Sequence, residues 1–334
     1  MNRYLKARFC QEDFIALKMV FAVIAVVVTT VCVVIVIPQL VLQAIVILKD
    51  RNTYDTPFYT LYIFDGVMNI ITIINGYYLL KIPALVSADG VLAFLYLNND
   101  GYSVRISNLI SYHMAYVQWS STAVLCLYRV TEKRIGKVWK QKTFLAAVML
   151  VICVLPFVDT SRTFFYRTEF KYIAEDDNFK LSSAMVLNES FKYLLPFMIT
   201  LTIVSAVLLL IFYYSINGLE SMSSNTSTLG LRVIYYMLAV IMVQLCGTVL
   251  TGLRIYFGDR FGESKFLWEL LPIISDCLSL MQPMLLTIFS SKMRQDMLAL
   301  IGWKSEAPSA TSAAAQQPTN STAVHPSNMN INRF

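Results

Sequence analysis

Long apolar runs without charged residues alternate with short polar segments along most of the chain. An α-helix rises about 1.5 Å per residue, so about 20 apolar residues cross the roughly 30 Å hydrocarbon core of a bilayer. Seven runs come close to that length, and they cover residues 19–48, 58–80, 106–128, 143–158, 193–219, 233–253 and 270–291. The pattern predicts an all-α membrane protein, a bundle of seven transmembrane helices.

Two segments leave the number of spans open. The fourth run, 143–158, is short and needs Lys142 and Asp159 as interfacial ends. Residues 82–97 are apolar on both sides of Asp89 and are the alternative candidate for an eighth span. Such a span would reverse the orientation of all the helices that follow it. A charge followed by glycine is costly at the centre of a short lipid-embedded run, so we expect a loop that lies against the bundle here.

Composition supports the membrane assignment. Of the 334 residues, 57% are hydrophobic and 14% are charged, which is more apolar surface than a soluble domain can hide. The first run is too long for a signal-peptide core, so residues 1–18 are predicted to be an extracellular N-terminus before a retained span. Residues 292–302 alternate charged and apolar positions, as in a short amphipathic juxtamembrane helix or a frayed helix end. Residues 303–334 are mostly Ser, Thr, Ala, Pro, Gln and Asn, a composition that predicts a disordered cytoplasmic tail.

The placement of basic residues predicts the orientation. Total Lys and Arg numbers on the two faces are equal and decide nothing. Six basic residues crowd the short predicted loop between the third and fourth runs: Arg129, Lys133, Arg134, Lys137, Lys140 and Lys142. Such clusters favour the cytoplasmic side, which places the N-terminus outside. The glycosylation acceptor Asn188 then lies in an extracellular loop, where it could be used.

Signatures of catalysis are missing from the sequence. It has only two histidines, and it contains no His-Glu-x-x-His, phosphate loop, dinucleotide glycine signature or paired-cysteine metal motif. We therefore predict no enzyme activity, no cofactor or metal, and no nucleic-acid partner; membrane lipid surrounds the bundle.

Two carboxylates inside the predicted spans are candidate functional groups. An Asp at a helix centre costs about 2.5–3.5 kcal/mol on insertion scales, so Asp65 and Asp276 should face the bundle interior. Asp65 shares a helical face with Asn69, and Asp276 lies in a polar stripe with Gln282 and Pro283. These residues are either a conformational switch or polar contacts that hold the helices together.

Aromatic and polar side chains also gather in the half of the bundle predicted to face outward. They are Tyr112, His113, Tyr116 and Trp119 in the third run, Thr248, Thr251 and Arg254 in the sixth, and Glu269 before the seventh. Taken alone, each of these residue types is more often packed in a core than in contact with a ligand. An ion pair such as Arg254 with Glu269 more often stabilises a loop than binds a ligand. Together they are a candidate pocket for a small molecule.

Three motifs carry a family resemblance. They are Phe58-Tyr59-x-Leu61-Tyr62-Ile63-Phe64-Asp65-Gly66-x-Met68-Asn69-Ile70, Tyr128-Arg129-Val130-Thr131, and Asp276-x-Leu278-Ser279-x-x-x-Pro283-x-Leu285-Leu286. With the seven runs and the basic segment, they resemble the nematode serpentine chemoreceptors of class gamma, which are of the G-protein-coupled receptor type. The likeness extends over nearly the whole chain to about residue 300, and the short motifs leave a sister chemoreceptor class open.

The resemblance implies a chemosensory receptor in the plasma membrane of a chemosensory cell. A small-molecule ligand would bias the bundle toward a state that engages a heterotrimeric G protein. Carried over by position, Arg129 would be the switch arginine, and Lys133, Arg134 and Lys137 would face the G protein. The family commonly has Asn where this chain has Tyr128, and the acidic partner of rhodopsin-like receptors is missing, so an ionic lock is not implied.

Two other functions remain open from the residues alone. A ligand-gated channel or transporter would use Asp65 and Asp276 as pore or relay groups, although no internal repeat is evident. A purely structural membrane protein would show no response to any ligand.

Overall fold

The computed structural model describes residues 27, 30–31, 33–97, 101–174, 177–183, 189, 191–220, 225–257 and 265–303. Its long helices are α1 (Val33–Lys49), α2 (Pro57–Gly76), α3 (Tyr102–Trp139), α4 (Lys142–Phe165), α5 (Leu194–Glu220), α6 (Asn225–Phe257), α7 (Lys265–Phe289) and α8 (Ser291–Leu300). Helices α1 to α7 form a seven-helix membrane bundle, which confirms the predicted fold class. The predicted segment 1–18, the acceptor Asn188 and the tail after Trp303 lie outside the described residues.

Helix α3 is the polar centre of this bundle. Four described segments are long and apolar enough to cross a membrane by length and composition, and they are Pro57–Leu85, Lys142–Phe165, Leu194–Ile216 and Val233–Leu253. Helix α3 is more polar than these because its inward face carries buried Asn108, His113, Gln118, Ser121 and Thr122. Protein contacts rather than lipid satisfy these groups.

The basic cluster is mostly helical, which corrects the prediction that it forms a loop. Helix α3 does not end at Tyr128 but continues to Trp139, with one non-helical residue at Ile135 (φ −123°, ψ 26°). The Trp139 indole donates to Thr131 Oγ1 at 2.9 Å and packs edge-on against Tyr128, with the ring centroids 5.4 Å apart. These contacts extend α3 beyond the apolar run, because a buried aromatic pair stabilises the added turns.

Helices α2 and α4 also extend beyond their apolar runs. Helix α2 continues through a π-helical turn, Tyr77–Lys81, and a short turn of 3₁₀ helix, Pro83–Leu85. Helix α4 is interrupted by a turn at Leu155 and Pro156 and then resumes over Phe157–Phe165. Thr160 and Thr163 of that second segment are buried against the bundle, so the short fourth run underestimates the helix.

A β-hairpin that the sequence pattern did not predict lies between α4 and α5. Strand β1 (Thr168–Ile173) pairs antiparallel with β2 (Asn178–Ser183), with Thr168 opposite Ser183. Its aromatic side chains pack on the 82–97 segment in a cluster of Tyr78, Val86, Ala93, Tyr96, Phe170 and Phe179. That segment contains one four-residue helix, Phe94–Leu97, which is too short to cross a bilayer. We call this side of the bundle the hairpin end.

The opposite side, called the basic end, contains the end of α3, the short helix Arg51–Tyr54 and helix α8. The Ser290 hydroxyl caps α8 by accepting from the Met293 N–H at 3.2 Å. Met293 and Met297 are buried in the main hydrophobic cluster. The Tyr54 hydroxyl donates to Asp296, and burial with this bond raises the pKa of Tyr54 above its ordinary value. Helix α8 is therefore attached to the bundle on one face.

Acid is expected to break the contact of the hairpin residue Asp177 with Ser87 of the 82–97 segment. The Tyr172 and Ser87 hydroxyls donate to Asp177 at 2.6 and 3.0 Å, and they hold the pKa of this carboxyl below its usual range. A lowered folded-state pKa means that the contact is complete above about pH 5 and is lost as the pH falls below about 3.9. Spin labels at exposed positions Asp89 and Lys171 should move apart in that window. Asp177→Asn should remove the pH dependence, and an unchanged titration in that variant would contradict the assignment.

Candidate functional site

A buried polar network joins α2, α3 and α7 in the middle of the bundle. The Asn69 amide donates to Asp65 Oδ2 at 2.7 Å, and the Ser121 hydroxyl donates to the other Asp65 oxygen. The Gln118 amide nitrogen donates to Asn69 Oδ1 and to Ser279 Oγ, both at 2.8 Å. All five side chains are buried. The network therefore supplies protein partners for a carboxylate that lipid could not solvate.

Helical spacing explains half of this network. Asp65 and Asn69 lie four residues apart, and Gln118 and Ser121 lie three apart, so each pair shares one helix face. The sequence predicted Asp65 and Asn69 as candidates, and the structure brings them together. It did not single out Gln118, Ser121 or Ser279, because isolated Ser and Gln residues in a span give no signal until the facing helix is known.

Replacing Gln118 by Leu should destabilise the bundle. The variant removes two hydrogen bonds and leaves the Asn69 carbonyl and the Ser279 hydroxyl with fewer partners, at a cost of about 1–3 kcal/mol in the free energy of unfolding. Denaturant titration of the detergent-solubilised protein measures the loss. Ser120→Ala, on the same helix and half-buried, is the matched control. Equal stability of the two variants would contradict this role of Gln118.

Asp276 forms a buried ion pair with Lys81. The Lys81 ammonium contacts the Asp276 carboxylate, and both side chains are only 7% exposed. The ammonium also lies 4.0 Å from the centroid of the Tyr77 ring. The π-helical turn that ends at Lys81 places this residue against α7. The sequence missed Lys81 because it follows the end of the apolar run 58–80.

The carbonyl of Pro283 is a meeting point of α1 and α7. The amide nitrogens of Gln39 and Gln43 donate to this oxygen at 3.0 and 2.9 Å, and both also reach Thr287 Oγ1. Proline lacks an N–H and weakens the helix locally, so contacts from a second helix support α7 here. Gln282 beside it is buried, and its amide oxygen has no hydrogen-bond partner among the described residues.

The candidate pocket residues divide between two neighbouring helices. His113 Nδ1 lies 3.2 Å from the Thr160 hydroxyl, and the Tyr116 hydroxyl donates to Asp159 at 2.6 Å, so these residues face α4. Tyr112 packs against Phe191 before α5, with the ring centroids 5.7 Å apart.

Trp119 and Thr248 meet through a residue that the sequence analysis did not single out. The Trp119 indole donates to Thr202 Oγ1 at 3.3 Å, and the Thr202 and Thr248 hydroxyls are 3.3 Å apart. Thr251 is also buried, at 1% exposure. The side chains of Arg254 and Glu269 lie outside the described residues. Helices α3, α5 and α6 therefore share a polar contact in the hairpin half of the bundle.

Arg129 is buried at the basic end. Its guanidinium carbon lies 3.8 Å from the centroid of the Phe58 ring, and the guanidinium approaches Glu132 to 3.6 Å. A cavity of about 10 Å³ adjoins it, lined also by Tyr236 and Gln282. Arg134 and Lys137 are exposed on the same helix, and the side chain of Lys133 lies outside the described residues.

Seven membrane helices tied together by buried polar contacts have the architecture of the serpentine receptors. The family described as Srg family chemoreceptor matches residues 26–297, and the chain belongs to this family of chemoreceptors. It is 22% identical to serpentine receptor class gamma-31 of Caenorhabditis elegans over 294 residues, which cover 84% of this chain and 93% of that relative. The predicted resemblance to class gamma receptors is thereby confirmed.

Proposed function

We propose that this chemoreceptor lies in the plasma membrane of a chemosensory cell, binds a small molecule in the hairpin half of the bundle, and activates a heterotrimeric G protein at its basic end. The N-terminus then lies outside and the basic end is cytoplasmic. Arg129 carries the proposal. Its guanidinium is held between Phe58 and Glu132 beside a small cavity at this end of the bundle. The exposed Arg134 and Lys137 on the same helix add a basic surface that a signalling protein can bind by charge complementarity.

The contacts between the two ends support transmission through the bundle. Trp119 and Gln118 are adjacent on α3, so the residue that contacts α5 through Thr202 neighbours the network that joins α2 and α7. A ligand near Trp119 can bias the position of α3 only if it binds the active packing more tightly than the resting one. Movement of α3 would alter the surroundings of Arg129 at its other end.

Expression with a promiscuous G protein and a calcium indicator tests this function. Chemical pools that raise calcium only in receptor-expressing cells, and only while the G protein is present, are the expected result. Ligand-evoked current that persists without the G protein would favour the channel or transporter alternative. That alternative is motivated by the buried carboxylates of Asp65 and Asp276. Asp65, however, already accepts hydrogen bonds from Asn69 and Ser121. Asp276 already forms an ion pair with Lys81. Absence of any response to broad pools would count against both.

A further inference from the structure

Gln244 on α6 has a buried amide without a hydrogen-bond partner among the described residues. Its side chain is 0% exposed, and neither its amide nitrogen nor its amide oxygen makes a hydrogen bond to a described residue. A buried donor or acceptor left unpaired loses its hydration without compensation, and native proteins pair nearly all such groups. We therefore expect the Gln244 amide to receive its hydrogen bonds from a bound molecule.

Gln244 lies on the buried face of α6 between the candidate pocket residues and the cavity, whose described lining does not include it. Met237, Val240, Gln244, Thr248 and Thr251 follow one another at helical spacing and lie on one buried face of α6. Toward the hairpin end, the next turn holds Thr248, whose hydroxyl meets Thr202. Toward the basic end, Met237 and Val240 line the cavity. The unpaired amide thus lies between the polar contact of α5 and α6 and an existing space.

One turn away, the cavity is lined from α7 by another group without a hydrogen-bond partner among the described residues. Gln282 lines the cavity, is 4% exposed, and has an amide oxygen without a partner among the described residues. The cavity of about 10 Å³ accommodates about one water molecule. A larger guest must therefore separate α6 from α3 and α7, which couples occupancy to a change of helix packing.

We propose that Gln244 is the specificity residue of the receptor, and that it binds a small uncharged ligand carrying an adjacent hydrogen-bond donor and acceptor, such as a carboxamide or lactam. A primary amide offers N–H and C=O side by side and pairs with the same arrangement in two parallel bonds. Thr248 and Gln282 are neutral. Arg129 is the charged residue among the described lining of the cavity, and Glu132 and Phe58 already contact it, so a charged ligand would remain unpaired beside Gln244. The proposal rests on the proposed receptor function.

Thermal unfolding of the purified, full-length protein in detergent tests this assignment without a G protein. The probes are δ-valerolactam, which has adjacent N–H and C=O groups, and N-methyl-δ-valerolactam, which lacks the donor. The unmethylated lactam is expected to raise the unfolding temperature, and its methylated form is expected to have little effect. No shift with δ-valerolactam up to about 100 mM, or equal shifts with both lactams, would overturn the proposal; calcium responses to other chemicals would leave the receptor function standing.

The Gln244→Met variant has two expected effects of opposite sign. Without ligand it unfolds at a higher temperature than the wild type, because the unpaired amide is gone. Its apparent affinity for δ-valerolactam falls about 10- to 30-fold, since two neutral hydrogen bonds of about 1 kcal/mol each are lost. Gln244→Asn keeps the amide but withdraws it by one methylene, and it should weaken the lactam effect even if the methionine variant misfolds. The control is Gln141→Met at an exposed position; unchanged lactam affinity in both Gln244 variants would overturn the assignment.

Discussion

Lys81→Met is expected to lower the free energy of unfolding by about 3–5 kcal/mol, the largest loss of stability that we anticipate from a single substitution. The change leaves the Asp276 carboxylate buried without its ammonium partner, while the side chain of the new residue fills similar space. Asp276→Leu should destabilise comparably, because it strands the Lys81 ammonium beside the Tyr77 ring. An uncompensated charge in a low-dielectric interior, and not a lost contact, is the physical cause.

The double variant Lys81→Met/Asp276→Leu separates these two causes. Replacing a buried ion pair by apolar side chains of similar volume is often neutral or stabilising, so the double variant should recover most of the stability. Denaturant titration in detergent and the amount of protein at the cell surface measure the effect. Lys49→Met, at the exposed end of α1, is the matched control for loss of a positive charge. Single variants no less stable than the double variant would contradict the role of this pair.

Arg129→Ala is expected to abolish agonist-evoked signalling while the protein still reaches the cell surface. The substitution removes the cation that stacks on Phe58 and adjoins the cavity at the basic end. Under the proposed function, it also removes the group that the G protein engages. Arg129→Lys should restore signalling only in part, because a lysine keeps the charge without the planar stacking surface.

An epitope tag at the N-terminus serves as the surface measurement for this experiment. Antibody binding to intact cells reports surface protein and also tests the proposed outward N-terminus. Arg167→Ala removes an exposed arginine at the hairpin end, opposite the proposed G-protein site, and is the control for a change of net charge. Signalling by Arg129→Ala at the wild-type level, with equal surface protein, would argue against Arg129 as the switch.

The number of spans and the family could be predicted from the sequence. Crossing a bilayer requires a minimum length of apolar helix, so run length alone identified seven helices. Helix ends were less accessible to this reasoning. Asp159 ended the fourth run, yet the helix continues to Phe165 because Thr160 and Thr163 are buried against α3. Trp139 likewise extends α3 through contacts that no apolar count detects.

The hydrogen-bond and ion-pair partners on different helices could be identified only from the folded chain. Asp65 and Asp276 could be placed inside the bundle from their cost in lipid, but their partners Ser121 and Lys81 depend on how each helix is rotated and on the π-helical turn after α2. The hairpin was missed for a related reason. Its strands are stabilised by aromatic packing on the 82–97 segment, which is distant in sequence.

The sequence by itself determined that the chain is a seven-span membrane protein and which ionisable groups must avoid lipid, because both follow from the free energy of placing single residues in hydrocarbon. Only the tertiary structure decided which polar groups satisfy one another and which, such as the amide of Gln244, have no hydrogen-bond partner among the described residues. Hydrogen bonds need atoms from different helices to lie about 3 Å apart, and that distance is a property of packing.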